Sequence, residues 1–77
     1  MMEAFLKFYN EINFKNGFAL YIYHSSIVDW CITIGYKASH PKHGEEIIKI
    51  HNSDMELAFA KAQVEFKQWL LENKGGY

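Results

Sequence analysis

Four histidines, one cysteine and scattered carboxylates are the side chains here that could carry chemistry. His40 and His43 lie in "SHPKHG" with two residues between them, a gap at which two imidazoles can share one metal ion. Two ligands from one loop do not close a site, because structural zinc takes four protein ligands and catalytic zinc three. His24, Asp29, Cys31 and His51 lie elsewhere in the chain. Cys31 with a histidine would suggest a nucleophile and its base. No third orienting group, oxyanion loop or Gly-rich phosphate cradle accompanies them. A single Cys within a strand is ordinarily a small hydrophobe. The sequence therefore supplies no catalytic residues, no metal ligands and no cofactor site, and the expectation is a non-enzymatic protein with a polar, His-bearing surface loop.

The elements that hold these residues follow from hydrophobic spacing. In "EAFLKFYNEINF", residues 3–14, Phe5, Phe8, Tyr9 and Ile12 recur at three and four residues and predict a helix. Asn16 and Gly17 break it. "FALYIYH", residues 18–24, alternates and predicts a strand with Phe18, Leu20 and Ile22 on one side and Ala19, Tyr21 and Tyr23 on the other. "IVDWCITIGY", residues 27–36, predicts a second strand with Val28, Trp30, Ile32, Ile34 and Tyr36 inward. "KASHPKHG" is the loop, broken by Pro41 and Gly44. "EEIIKIH", residues 45–51, predicts a third strand with Ile48 and Ile50 on one side and Ile47, Lys49 and His51 on the other. The stretch from Ser53 to Gly76 reads as a capped helix. Ser53 and Glu56 have the spacing of a capping box, Asp54 favours the positive end of the helix dipole, and Lys74 and Gly75 close the other end.

The expected architecture is a single α+β domain over residues 1–77. A three-stranded antiparallel meander is packed on one face by an N-terminal and a C-terminal helix, in the order αβββα. Hydrophobic residues make up 49% of the chain and aromatics 17%, enough apolar material to offset ordering entropy and exclude disorder. One cysteine allows no internal disulfide, which fits a reducing compartment. "MMEAFLKFYNEIN" lacks the basic start and apolar run of a signal peptide, and no segment approaches the length of a membrane span. A soluble, cytoplasmic protein without membrane contact is expected.

The last helix has more apolar surface than one core needs. Met55, Ala58, Phe59, Ala62, Phe66, Trp69 and Leu70 form a broad stripe of the width expected for a core-facing side. Leu57, Ala60, Val64 and Leu71 form a second, narrower stripe. Lys61, Glu65, Gln68 and Glu72 separate the two along one edge, and Glu56, Gln63 and Lys67 along the other. Either the first helix covers the second stripe with Phe5, Phe8 or Ile12, or a partner does: a second copy in a homodimer, or another protein. The outer sheet face, with Tyr21, Tyr23, Lys49 and His51, is a second candidate, because tyrosines combine contact area with low side-chain entropy.

Nucleic acid is the alternative partner. Exposed sheet aromatics stack bases in some modules. The order helix, three strands, helix resembles double-stranded-RNA-binding domains, which carry a basic cluster at the start of the last helix. This chain has "SDMELAF" there, and Asp54 and Glu56 would repel phosphate. Eight Lys and Arg against nine Asp and Glu leave a net charge of −1, without the basic excess that phosphate binding uses. The ending "GGY" is similar to the diglycine end of ubiquitin-like modifiers, but the element order is not theirs and a glycine helix cap accounts for it.

The segment "DWCITIGYK…EEIIKIHNSDMELAFAKAQVEFKQWLLENKGGY" resembles short uncharacterised proteins of phages and mobile elements of Gram-positive bacteria. That resemblance implies a small accessory protein that occludes a larger one, such as a host nuclease or a CRISPR-type defence complex. The functional expectation is therefore a protein-binding module, with Leu57, Ala60, Val64, Leu71, Tyr21, Tyr23, Lys49 and His51 as its contact residues.

Overall fold

The computed structural model describes residues 2–25, 27 and 29–76, with residues 2 and 14–16 as backbone. Helix α1 spans Met2–Asn16, strand β1 Phe18–Tyr23, β2 Trp30–Tyr36, β3 Glu46–Asn52 and helix α2 Met55–Lys74. This is the expected αβββα order. The strands form one antiparallel sheet in the order β1-β2-β3, with β2 central. β2 begins at Trp30, later than the alternation of residues 27–36 predicts, and Val28 lies outside the described residues.

Pairing is in register from Phe18 opposite Tyr36 to Tyr23 opposite Cys31. The register puts Phe18, Ile32, Ile34, Tyr36, Ile48 and Ile50 on the helix-covered face, and all six are buried. α2 lies on that face against β3 and β2, and α1 packs against α2. The helices meet through rings: Phe5 with Phe59 at 5.6 Å, and Phe8 with Phe66 edge-on at 5.9 Å. Phe66 also meets Tyr9 at 6.1 Å and Phe18 at 5.5 Å. Tilted and edge-on pairs of this kind contribute ~0.5–1.5 kcal/mol each beyond the area they bury. Ala58 and Ala62 are fully buried, and their small side chains let α2 approach the sheet.

Four details depart from the sequence pattern. The α2 N-cap is Asp54, not Ser53. Asn52 Oδ1 accepts from the Asp54 N–H (2.8 Å), and Asp54 Oδ1 accepts from the Leu57 N–H (3.1 Å), which starts the helix one residue later. Met55, in that first turn, is exposed rather than core. Ile22 belongs to the helix-side row of β1 but is also exposed, because burial by the described helix residues falls off toward the hairpin end of that strand. Ile47 packs against the core instead of facing outward. A β-bulge where β3 passes Ile34 and Gly35 interrupts the alternation there. At the other end, Gly75 takes a left-handed conformation (φ 74°) and the Gly76 N–H bonds to the Leu70 carbonyl (3.2 Å).

Candidate protein-binding surfaces

The second stripe of α2 is uncovered. Leu57 is 50% exposed, Val64 64% and Leu71 57%, while Ala60 between them is half-buried. The reason is where α1 sits. Phe5 and Phe8 pack on Phe59 and Phe66, and the Lys67 ammonium lies over the Phe8 ring. α1 therefore reaches the Lys67 edge of α2, and Ala60, Val64, Leu57 and Leu71 lie beyond it. Of the two readings of this stripe, cover by the first helix is not what the fold adopts. Ala60, Lys61, Val64 and Glu65 line a shallow groove of about 300 Å³ on this side. It is an apolar floor with one cation and one carboxylate at its rim.

The outer sheet face carries the second set of residues. Tyr21, Thr33 and Lys49 form one cross-strand row, and Tyr23, Cys31 and His51 the next. Tyr21, Tyr23, Lys49 and His51 are all exposed. Thus the predicted contact residues fall into two groups, one on α2 and one on the sheet face the helices leave open. Another depression, of about 430 Å³, lies between β3 and α2, lined by Ile47, Ile48, Glu65, Gln68, Trp69 and Glu72. The spacing rules assign Ile47 to the other face, so nothing in the sequence pattern marks this groove.

The histidines and Cys31 are placed by structure rather than gathered. The His40 ring stacks on Tyr36 at 4.2 Å, and its Nδ1 accepts from the Lys42 N–H at 3.0 Å. His43 Nδ1 donates to the Tyr36 carbonyl at 3.3 Å. The two rings thus anchor the loop to the end of β2 by different means. His24 stacks on Trp30 at 4.4 Å. The register sets Cys31 opposite His51, but its sulfur contacts Thr33 Oγ1 at 3.9 Å. Among the described residues, no group of three or more His, Cys, Asp and Glu side chains is arranged to hold a metal ion. None of their helices is long and apolar enough to cross a membrane.

Compared with known proteins, the chain matches no family model, no curated protein and no solved structure.

Proposed function

We propose that this chain is a protein-binding module that uses the second stripe of α2 as its principal contact, with the tyrosine-bearing sheet face as a second. The observation that carries the reading is the exposure of Leu57, Val64 and Leu71 on one side of a helix whose other side buries Ala58, Phe59, Ala62, Phe66 and Leu70 in the core. Apolar side chains at helical spacing around a groove suit docking against a complementary surface. The concrete form, carried by the resemblance to phage and mobile-element proteins, is an inhibitor that occludes a host nuclease or defence complex. The start of α2 favours protein over nucleic acid as the partner. Asp54 already occupies the helix N-terminus with its own carboxylate, where a phosphate would otherwise bind.

The test is a comparison of immobilised wild type and Val64→Glu in Gram-positive bacterial lysate, read by quantitative mass spectrometry. Circular dichroism is used to verify that the variant is folded. A host protein retained by the wild type and lost by the folded variant supports the reading. Equal retention by both removes α2 as the contact. Salt-sensitive retention of the wild type on heparin or DNA would replace it with the nucleic-acid reading.

A further inference from the structure

β1 is an edge strand without the charged side chains, proline or bulge that usually protect an edge. Its sequence, "FALYIY", has no charge and no proline. β3, at the opposite edge, carries Glu46 and Lys49 and a bulge. Charged side chains and bulges discourage a second strand from adding, and their absence invites it.

The hydrogen-bond pattern shows which groups β1 offers. The Lys37 N–H donates to the Gly17 carbonyl at 3.1 Å, marking these opposed residues as a bonded pair. Bonded pairs alternate along an antiparallel ladder. Ala19, Tyr21 and Tyr23 therefore bond toward β2, and Phe18, Leu20 and Ile22 direct their backbone groups outward.

Exposure selects the part of the edge that is open. Burial falls along β1 from Phe18 toward the hairpin, and Tyr21, Ile22 and Tyr23 are the exposed residues. Ile22 is 41% exposed although its row faces the helices. The open stretch is thus symmetric about Ile22, and Ile22 is one of the residues whose backbone points outward.

We infer that β1 pairs antiparallel with β1 of a second copy, about a two-fold axis at Ile22. Each Ile22 N–H then donates to the Ile22 carbonyl of the other copy, so the pairing is its own complement. On the open face, Tyr21 of each copy stands opposite Tyr23 of the other, an aromatic cross-strand pair formed twice. On the helix side, the two exposed Ile22 side chains cover one another. Because the stretch has no charge, the two copies meet without like-charge repulsion. The two sheets become one continuous sheet, and each loses its unprotected edge. This surface is separate from the α2 stripe and stands without it.

The test is sedimentation and light scattering of the full chain over a concentration series, with Ile22→Lys and Val64→Glu alongside. Wild type and Val64→Glu are expected to pass from one copy to two as concentration rises. Ile22→Lys, which sets two ammonium groups face to face, is expected to lose the dimer while keeping its circular dichroism spectrum. A wild type that stays at one copy, a dimer that survives Ile22→Lys, or a dimer lost in Val64→Glu would overturn the inference. Cross-linking keeps the test decisive if Ile22→Lys does not fold. Bonded antiparallel pairs place Cα atoms ~5.5 Å apart, within disulfide reach. In a Cys31→Ser background, Ile22→Cys should form a disulfide dimer on mild oxidation, and Ile27→Cys, on the exposed turn, should not. Equal cross-linking at both positions, or none at Ile22→Cys, would refute the pairing.

Discussion

The Lys67 ammonium sits 5.0 Å from the centroid of the Phe8 ring. This contact marks the edge of α2 that α1 reaches, beside the ring contacts of Phe5 with Phe59 and Phe8 with Phe66. With α1 packed against Phe59, Phe66 and Lys67, no element among the described residues covers Val64, and Ala60 beside it is half-buried.

Neighbouring positions on α2 should therefore respond very differently to substitution. Phe66 is fully buried and touches the rings of Phe8, Tyr9 and Phe18, so Phe66→Ala should cost ~3–5 kcal/mol. Val64→Glu should stay within ~0.5 kcal/mol of wild type, as surface changes away from packed features do. Urea unfolding of both variants, followed by circular dichroism, checks the contrast. A Val64→Glu variant as unstable as Phe66→Ala would mean the second stripe is covered after all.

The start of α2 gives a second contrast. Asp54→Ala removes the side chain that accepts the Leu57 N–H and should cost ~0.5–2 kcal/mol. Ser53→Ala should cost only a few tenths of a kcal/mol by the same reasoning, although Ser53 has the better capping-box spacing. Thermal melts of the two variants separate the capping residue from its neighbour.

Gly35 is held by crowding rather than by its backbone angle. A Cβ there would stand 3.0 Å from the Glu45 carbonyl oxygen, at the bulge between β2 and β3. Gly35→Ala must push that backbone away and should cost ~1–3 kcal/mol, in the range for overpacking. Faster amide exchange in residues 45–48 should accompany the loss of stability.

Tyr9 should make the fold sensitive to alkali. Burial, with a smaller contribution from Tyr21, pushes its hydroxyl up to about 12 from the ordinary 10.0. Below pH 10 both folded and unfolded chains keep this proton, so stability does not change. Between about pH 10 and 12 the unfolded chain loses the proton first, and stability falls as pH rises through that window. Tyr9→Phe should lack this component. Urea midpoints measured for both chains from pH 8 to 11.5 should diverge above pH 10.

Most of this architecture was legible because the spacing rules had no competition. Phe18, Ile32, Ile34, Ile48 and Ile50 alternate without a break, and they all lie in the core. The departures occur where a local interaction outranks the period. Asn52 captures the Asp54 N–H and moves the helix start, and the bulge at Gly35 turns Ile47 toward the helices. Ile22 follows the alternation but lies past the reach of the helix layer, which periodicity cannot measure. The second stripe of α2 was visible as a pattern, and its exposure was not. That depended on the side from which α1 approaches, which is set by tertiary packing such as Phe5 on Phe59 and Phe8 on Phe66. The expected meander already made β1 an edge strand; which of its backbone groups point outward required the bonding phase, which no single residue carries.

The ring contacts between α1 and α2 also constrain how the chain comes into being. Phe5 and Phe8 find their ring partners in Phe59 and Phe66, on the element farthest along the chain. During synthesis the first helix therefore emerges long before the surface it needs. Its apolar side stays open to other molecules until α2 has been made. Closure then depends on bringing distant segments together, which slows folding relative to locally connected bundles. A truncation within α2 would accordingly remove the partner of the first helix as well as the last, leaving a nascent chain with both ends unsatisfied.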